Sequence, residues 1–146
     1  MNAPRLQVLL VDDEASVLAT AAAVLSEDFD VQCTRDAVQA RRRLALQPFD
    51  VLCTDLHIPG GPSGIQLLRE ALAHHPHLAG VLITGYREYL DWRDRLDAQG
   101  LFYLVLKPYQ PPDLIAMIRR AAEGARLKRE MSQLSSGLAE RKWSTR

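Results

Sequence analysis

The feature that most constrains this chain is an alternation. Five short apolar runs, each closing on a polar residue, are separated by segments whose apolar residues return at helical spacing. Leu6 to Val11 is almost continuously apolar and ends in Asp12-Asp13-Glu14, which suits a strand buried on both faces that emerges into solvent at its carboxyl end. Through Glu14 to Leu25 the residues Ala15, Leu18, Ala22 and Leu25 recur at helical spacing, and Phe29 to Thr34 is a second strand. Asp36 reads as an N-cap for a helix over Ala37 to Leu46, after which Asp50 to Thr54 supplies a third strand ending at Asp55.

The loop from Pro59 to Gly64 breaks the pattern, and Ile65 to His74 resumes it as a helix before a fourth strand over Gly80 to Thr84. Arg87 to Ala98 reads as a polar, exposed helix ended by Gly100. Leu101 to Leu106 is the fifth strand, closed by Lys107-Pro108. Asp113 is the expected cap of a last helix running well past the core toward Leu138. Such strict alternation predicts a parallel sheet with right-handed crossovers and helices on both faces, an α/β fold. Functional groups in such sheets gather beyond the carboxyl ends of the strands, where this sequence places Asp12, Asp13, Asp55, Thr84 and Lys107.

Three carboxylates brought to one sheet edge repel one another and need a cation. Oxygen donors with room for water and phosphate oxygens suit Mg²⁺ better than a closed Ca²⁺ cage. Lys107 adds a fixed positive charge and Thr84 a hydroxyl donor, which together make an anion pocket around a carboxylate. An aspartate so placed can attack phosphorus, and the product would be an acyl phosphate on Asp55. Taken singly, each residue has a plainer reading: a helix cap for Asp12 or Asp13, a strand end for Thr84, a surface charge for Lys107.

In their order and spacing, Leu9-Leu10-Val11-Asp12-Asp13-Glu14, Asp55 followed by Pro59, Thr84-Gly85 and Lys107-Pro108 resemble the receiver domains of two-component response regulators, over about Leu6 to Ala122. The resemblance implies a flavodoxin-like five-stranded parallel sheet with an extended C-terminal helix, and a sensor histidine kinase or phosphotransfer protein as phosphodonor. It also implies a Mg²⁺ site of Asp13, Asp55 and the backbone carbonyl of His57, with Asp12 acting through water. Thr84 would move toward the phosphoryl group, Lys107 would pair with it, and the Lys107-Pro108 bond would be cis.

Two departures from the family pattern stand out. The glycine usual eight residues after the acceptor is replaced by Ser63, with Gly64 following, so the loop is one residue longer and Gly60-Gly61-Pro62 should take an altered path beside the metal. The switch aromatic usual three residues before the lysine is Leu104, and Tyr103, one place earlier, should point to the other face of the strand. The switch pair is therefore Thr84 with either Tyr103 or Leu104. The His57 side chain is placed to order water near an acyl phosphate, or is an inert solvent-facing histidine. His74, His75 and His77 around Pro76 read as solvated polar residues.

Composition narrows the remaining classes. The longest apolar runs are far shorter than the roughly 20 residues that span a bilayer, and no signal segment opens the chain, so a cytoplasmic location without membrane contact is expected. Cys33 and Cys53 lack metal-ligand spacing and read as free thiols. Residues 1–118 hold 10 basic and 15 acidic residues while 119–146 hold 8 and 3, a charge asymmetry better explained by a solvated helix than by a nucleic-acid surface.

Leu127, Met131, Leu134 and Leu138 form a short apolar seam on that basic helix. The expected organisation is a receiver over 1–122 and a helical extension or linker over 123–146. A homodimer would form through the receiver face or this helix, unless the seam packs back on its own domain. The expected function is a phosphorylation-dependent switch whose only chemistry is on itself. The alternatives are a Mg²⁺-dependent phosphatase, for which the chain supplies His57 at best as general acid and no insertion large enough for a lid, and a nonphosphorylated interaction module acting through its C-terminal helix.

Overall fold

A computed structural model describes residues 4–59, 63–97 and 102–144, the side chains of 95–97 and 137–144 excepted. Strands β1 (Gln7–Val11), β2 (Asp30–Thr34), β3 (Val51–Asp55), β4 (Ala79–Gly85) and β5 (Tyr103–Lys107) alternate with helices α1 (Ala15–Leu25), α2 (Ala37–Leu46), α3 (Gly64–His74), α4 (Tyr86–Asp97) and α5 (Pro111–Ser144). All pairings are parallel, in the order β2-β1-β3-β4-β5. Because β1 lies between β2 and β3, successive crossovers leave it on opposite sides, which opens a crevice above its carboxyl end. The flavodoxin-like fold expected from the sequence is the fold observed.

Side chains alternate along each strand into two apolar layers. Leu9, Leu52 and Leu82 meet Ala40 of α2 and Leu68 of α3 on one face. Val8, Cys53 and Val81 meet Leu25 of α1 and Ile118 of α5 on the other. Each such leucine or isoleucine, removed from water, contributes about 1.5–3 kcal/mol. The central strands β1, β3 and β4 are buried on both faces, which is why they read as unbroken apolar runs.

Local chemistry sets the helix starts. The Asp36 carboxylate accepts from the backbone N–H of Gln39 at 2.8 Å, capping α2 as expected. At α3, Ser63 Oγ accepts from Gln66 N, and Gln66 Oε1 accepts from Ser63 N, closing a capping box. Two expectations need correction. Helix α5 begins at Pro111, not at an Asp113 cap, because proline suits the first helical position; Asp113 sits in the first turn, where a negative charge faces the helix dipole. Helix α4 is not wholly exposed, since Tyr89 and Trp92 pack against the α2–α3 layer.

Helix α5 is one continuous element that outruns the sheet. Leu114, Ile118 and Ala121 are buried, whereas Leu127, Met131 and Leu134 are 46%, 67% and 67% exposed. The seam therefore does not pack back on its own domain. The side chain of Leu138 lies outside the described residues.

Candidate functional site

Four strand ends build the site. Asp12 follows β1 and is 5% exposed, Asp55 ends β3, Thr84 lies near the end of β4, and Lys107 ends β5. The register sets β3 beside β4, with Asp55 opposite Ile83, and β4 beside β5, with Gly85 opposite Lys107. Carboxylate oxygens of Asp12, Asp13 and Asp55 all lie within 4.8 Å of one another, with Asp13 exposed. The sequence expectation that these acids converge is met in the geometry.

Lys107 Nζ donates to Asp55 Oδ2 at 2.8 Å and reaches Asp12 Oδ2 at 3.4 Å. Burial alone would lower the Lys107 pKa, but the hydrogen bond and charge of Asp55, with Asp12 behind them, outweigh it and hold the ammonium above its usual range. The cation is therefore held in its charged form beside the Asp55 carboxylate. Asp12 Oδ1 accepts from Glu14 N at 3.0 Å, so this carboxylate is oriented by its own loop as well as by the lysine.

Thr84 is 1% exposed, and its hydroxyl has no hydrogen-bond partner among the described residues. Its side chain points to the same sheet face as Leu82, toward the side that α4 covers. Leu104 lies on that face too, whereas Tyr103 points to the α1–α5 face, where its ring meets α5 at Gly124. The expected offset of Tyr103 is thus realised, with no bulge to reverse it.

His57 is exposed, and its backbone N–H makes a long 3.4 Å contact to Asp55 Oδ1. Gly60, Gly61 and Pro62, for which an altered path was expected, lie outside the described residues. The Lys107-Pro108 peptide is cis.

Gly64 occupies the place a small residue must have. Its N–H donates to the carbonyl of Leu56 at 2.8 Å. A Cβ added there would overlap the carbonyl oxygen of Asp55 and lie 2.9 Å from the Asp55 carbonyl carbon. The start of α3 is thus pressed onto the backbone of Asp55.

One residue at the site escaped sequence reasoning. Arg35, directly after β2, donates to the backbone carbonyl of Asp13 from Nε at 3.1 Å and from Nη2 at 2.8 Å. This fork ties the β1–α1 loop to the neighbouring strand end. The available signal was position alone, since β2 ends at the same sheet edge as β1.

The chain can now be set beside known proteins. The sequence profile of the response regulator receiver domain matches residues 8–119. HoxA of Cupriavidus necator, a hydrogenase transcriptional regulatory protein, is 31% identical over 134 residues, covering 92% of this chain and 28% of HoxA. The nitrogen assimilation regulatory protein NtrX of Azorhizobium caulinodans is 26% identical, over 87% of this chain and 28% of its own. The chain thus spans under a third of these curated relatives. NtrX from Brucella abortus in complex with ADP superposes with a TM-score of 0.80 at 29% identity, over 89% of this chain and 30% of that one. The signal receiver domain of an HD domain-containing protein from Pseudomonas fluorescens gives 0.78 at 25% identity, over 89% and 96%. By profile, relatives and fold alike, the chain belongs to the response regulator receiver domain family.

Proposed function

We propose that this chain is a phosphorylation-driven signalling switch that accepts a phosphoryl group on Asp55 from a sensor histidine kinase or phosphotransfer protein. The observation that carries the reading is the 2.8 Å hydrogen bond between Lys107 and Asp55, set among Asp12 and Asp13 at the strand ends. Attack of a carboxylate on phosphorus brings two anions together, and a cation already seated on the carboxylate offsets that repulsion. In the transfer, an Asp55 oxygen bonds to phosphorus as the P–N bond of the donor phosphohistidine breaks. The imidazole leaves with a proton, and Asp55 becomes an acyl phosphate.

The donor set is all oxygen and strongly anionic, which fits Mg²⁺. Asp12, Asp13, Asp55 and the backbone carbonyl of His57 would hold the ion, which when bound neutralises charge on the phosphoryl oxygens. Lys107 then pairs with one phosphoryl oxygen. The Thr84 hydroxyl, a donor with no partner among the described residues, meets another. With Tyr103 turned away, the change at Thr84 is passed through Leu104, Tyr89 and Trp92, which pack on one apolar layer.

The remaining assignments follow from the same reading. The receiver spans 1–122 and the extension 123–146, with homodimerisation through the receiver face or the extension. The setting is the cytoplasm, with no direct contact to nucleic acid. Among the described residues no helix is long and apolar enough to cross a membrane. Acetyl phosphate, or beryllofluoride with Mg²⁺, should modify or bind the wild-type chain and leave Asp55→Ala untouched. Equal labelling of both, read by intact-protein mass, would refute the assignment.

A further inference from the structure

We infer that the junction between β2 and α2, Thr34 to Ala37, braces the metal site and makes it select Mg²⁺ over the larger Ca²⁺, with Arg35 as the positioning residue. The inference rests on the metal assignment made above, of Asp12, Asp13, Asp55 and the His57 carbonyl.

The sheet alone does not fix the width of that site. The ladder between β1 and β3 ends with Val11 opposite Thr54, so Asp13 and His57 stand on loops beyond the last pair. An entering ion can spread such loops unless something else holds them.

The junction holds both. The carbonyl of Thr34 accepts from the backbone N–H of Asp12 at 3.2 Å. The Arg35 fork grips the carbonyl oxygen of Asp13, whose carboxylate belongs to the acidic cluster. Two residues on, the Ala37 N–H donates to the carbonyl of Pro59 at 3.3 Å, on the loop that carries His57. The piece between these ties is itself closed. Asp36 caps α2 by accepting from Gln39 N at 2.8 Å, and Gln39 Oε1 accepts from Arg35 N at 3.4 Å. Both loops are thus fastened to one helix start, which sets the distance between them before an ion arrives.

A preset width discriminates by size. Mg²⁺ holds its octahedron of oxygens at about 2.0–2.1 Å, whereas Ca²⁺ takes about 2.3–2.6 Å and tolerates irregular geometry. Ligands on opposite sides of Ca²⁺ must therefore stand roughly 0.5–1 Å farther apart. Of the ties, Thr34 and Ala37 act through the backbone and Arg35 through its side chain. Two N–H groups of one planar guanidinium on a single oxygen fix direction as well as distance.

The test is calorimetric titration of the full chain with MgCl₂ and with CaCl₂. Wild type should prefer Mg²⁺, and Arg35→Ala should lower the ratio of Mg²⁺ to Ca²⁺ affinity about tenfold, with Ca²⁺ binding changed by less than about twofold. The lost charge acts alike on two ions of equal charge, so the ratio reads position. Arg35 is exposed, and its removal leaves the core intact. Arg35→Lys keeps the charge without the fork and should leave the ratio low. Arg41→Ala, on the same helix but paired with Glu70, should keep the wild-type ratio.

A wild type without preference, an unmoved ratio in Arg35→Ala, a ratio restored by Arg35→Lys, or an equal fall in Arg41→Ala overturns the proposal. Acetyl phosphate labelling of Asp55 together with an unmoved ratio sinks the brace alone. A wild type that binds neither ion ends the metal assignment and the brace with it.

Discussion

Substituting Gly64 by alanine is the most exacting check on how the site is held. All three atoms nearest to the added methyl are backbone: the carbonyl oxygen and carbon of Asp55 and Leu56 Cα, the last two at 2.9 and 3.2 Å. Backbone cannot swing aside as a rotamer does, so α3 and the end of β3 must separate by about 1 Å or more to reach ordinary contact. That separation stretches the Gly64–Leu56 hydrogen bond, itself worth about 1 kcal/mol. Overpacking adds about 1–3 kcal/mol, so unfolding in urea should show a loss of about 2–4 kcal/mol.

Function should suffer beyond stability, because the displaced atoms belong to Asp55, the proposed acceptor. A misplacement of 1 Å costs on the order of 100-fold in rate, and labelling by acetyl phosphate should fall accordingly even where the variant is fully folded. Gly80→Ala is the control. There the closest atoms are the methyl of Leu68 at 2.9 Å and Phe102 Cβ at 3.2 Å, side-chain atoms distant from the acceptor. Its stability loss should be smaller and its labelling intact. If Gly64→Ala unfolds within about 0.5 kcal/mol of wild type and labels at the wild-type rate, the reasoning fails.

Four further outcomes are expected. Arg35→Ala should weaken Mg²⁺ binding roughly tenfold in calorimetry, because Asp13 loses the fork that ties its loop; unchanged affinity would count against that role. In a Trp143→Phe background, Trp92 fluorescence should change on adding beryllofluoride and Mg²⁺, and a silent signal would remove α4 from the transmission path. Thr20→Arg, in the apolar groove between α1 and the Pro108–Pro111 turn beside Lys107, should slow transfer from a phosphohistidine donor but spare acetyl phosphate labelling. Equal effects on both donors would refute docking there.

The fourth concerns alkaline pH. Burial pushes the Cys53 thiol far above its usual range, so the folded chain keeps a proton that the unfolded chain releases. Stability should fall as pH rises above about 8.5, by up to about 1.4 kcal/mol per unit, and Cys53→Ala should flatten that slope in urea titrations.

Much of this molecule was legible because its sheet is buried on both sides. Around Leu9, Leu52 and Leu82 the central strands carry no charged residue before their ends, so the strand ends announce themselves as Asp12, Asp55 and Thr84. Helix starts were less legible. Asp36 caps as expected, whereas Pro111 begins α5 two residues before the acid that looked like its cap, because proline and aspartate both suit a first turn. Arg35, and the close contact that Gly64 makes, escaped for a different reason. One acts through a backbone carbonyl and the other through the lack of a side chain, and neither leaves a periodic trace. The partial burial of Tyr89 and Trp92 was hidden by the charged residues around them in α4.

Tyr103 and Gly124 meet where α5 leaves the sheet, and that contact has a mechanical consequence. Beyond it the helix runs on to Ser144, a rigid arm of about 30 Å at 1.5 Å per residue. With the aromatic ring as fulcrum, each 5° of tilt sweeps the far end through about 2.5 Å. The aromatic ring one place before the family's switch position thus sits, in this chain, under the lever.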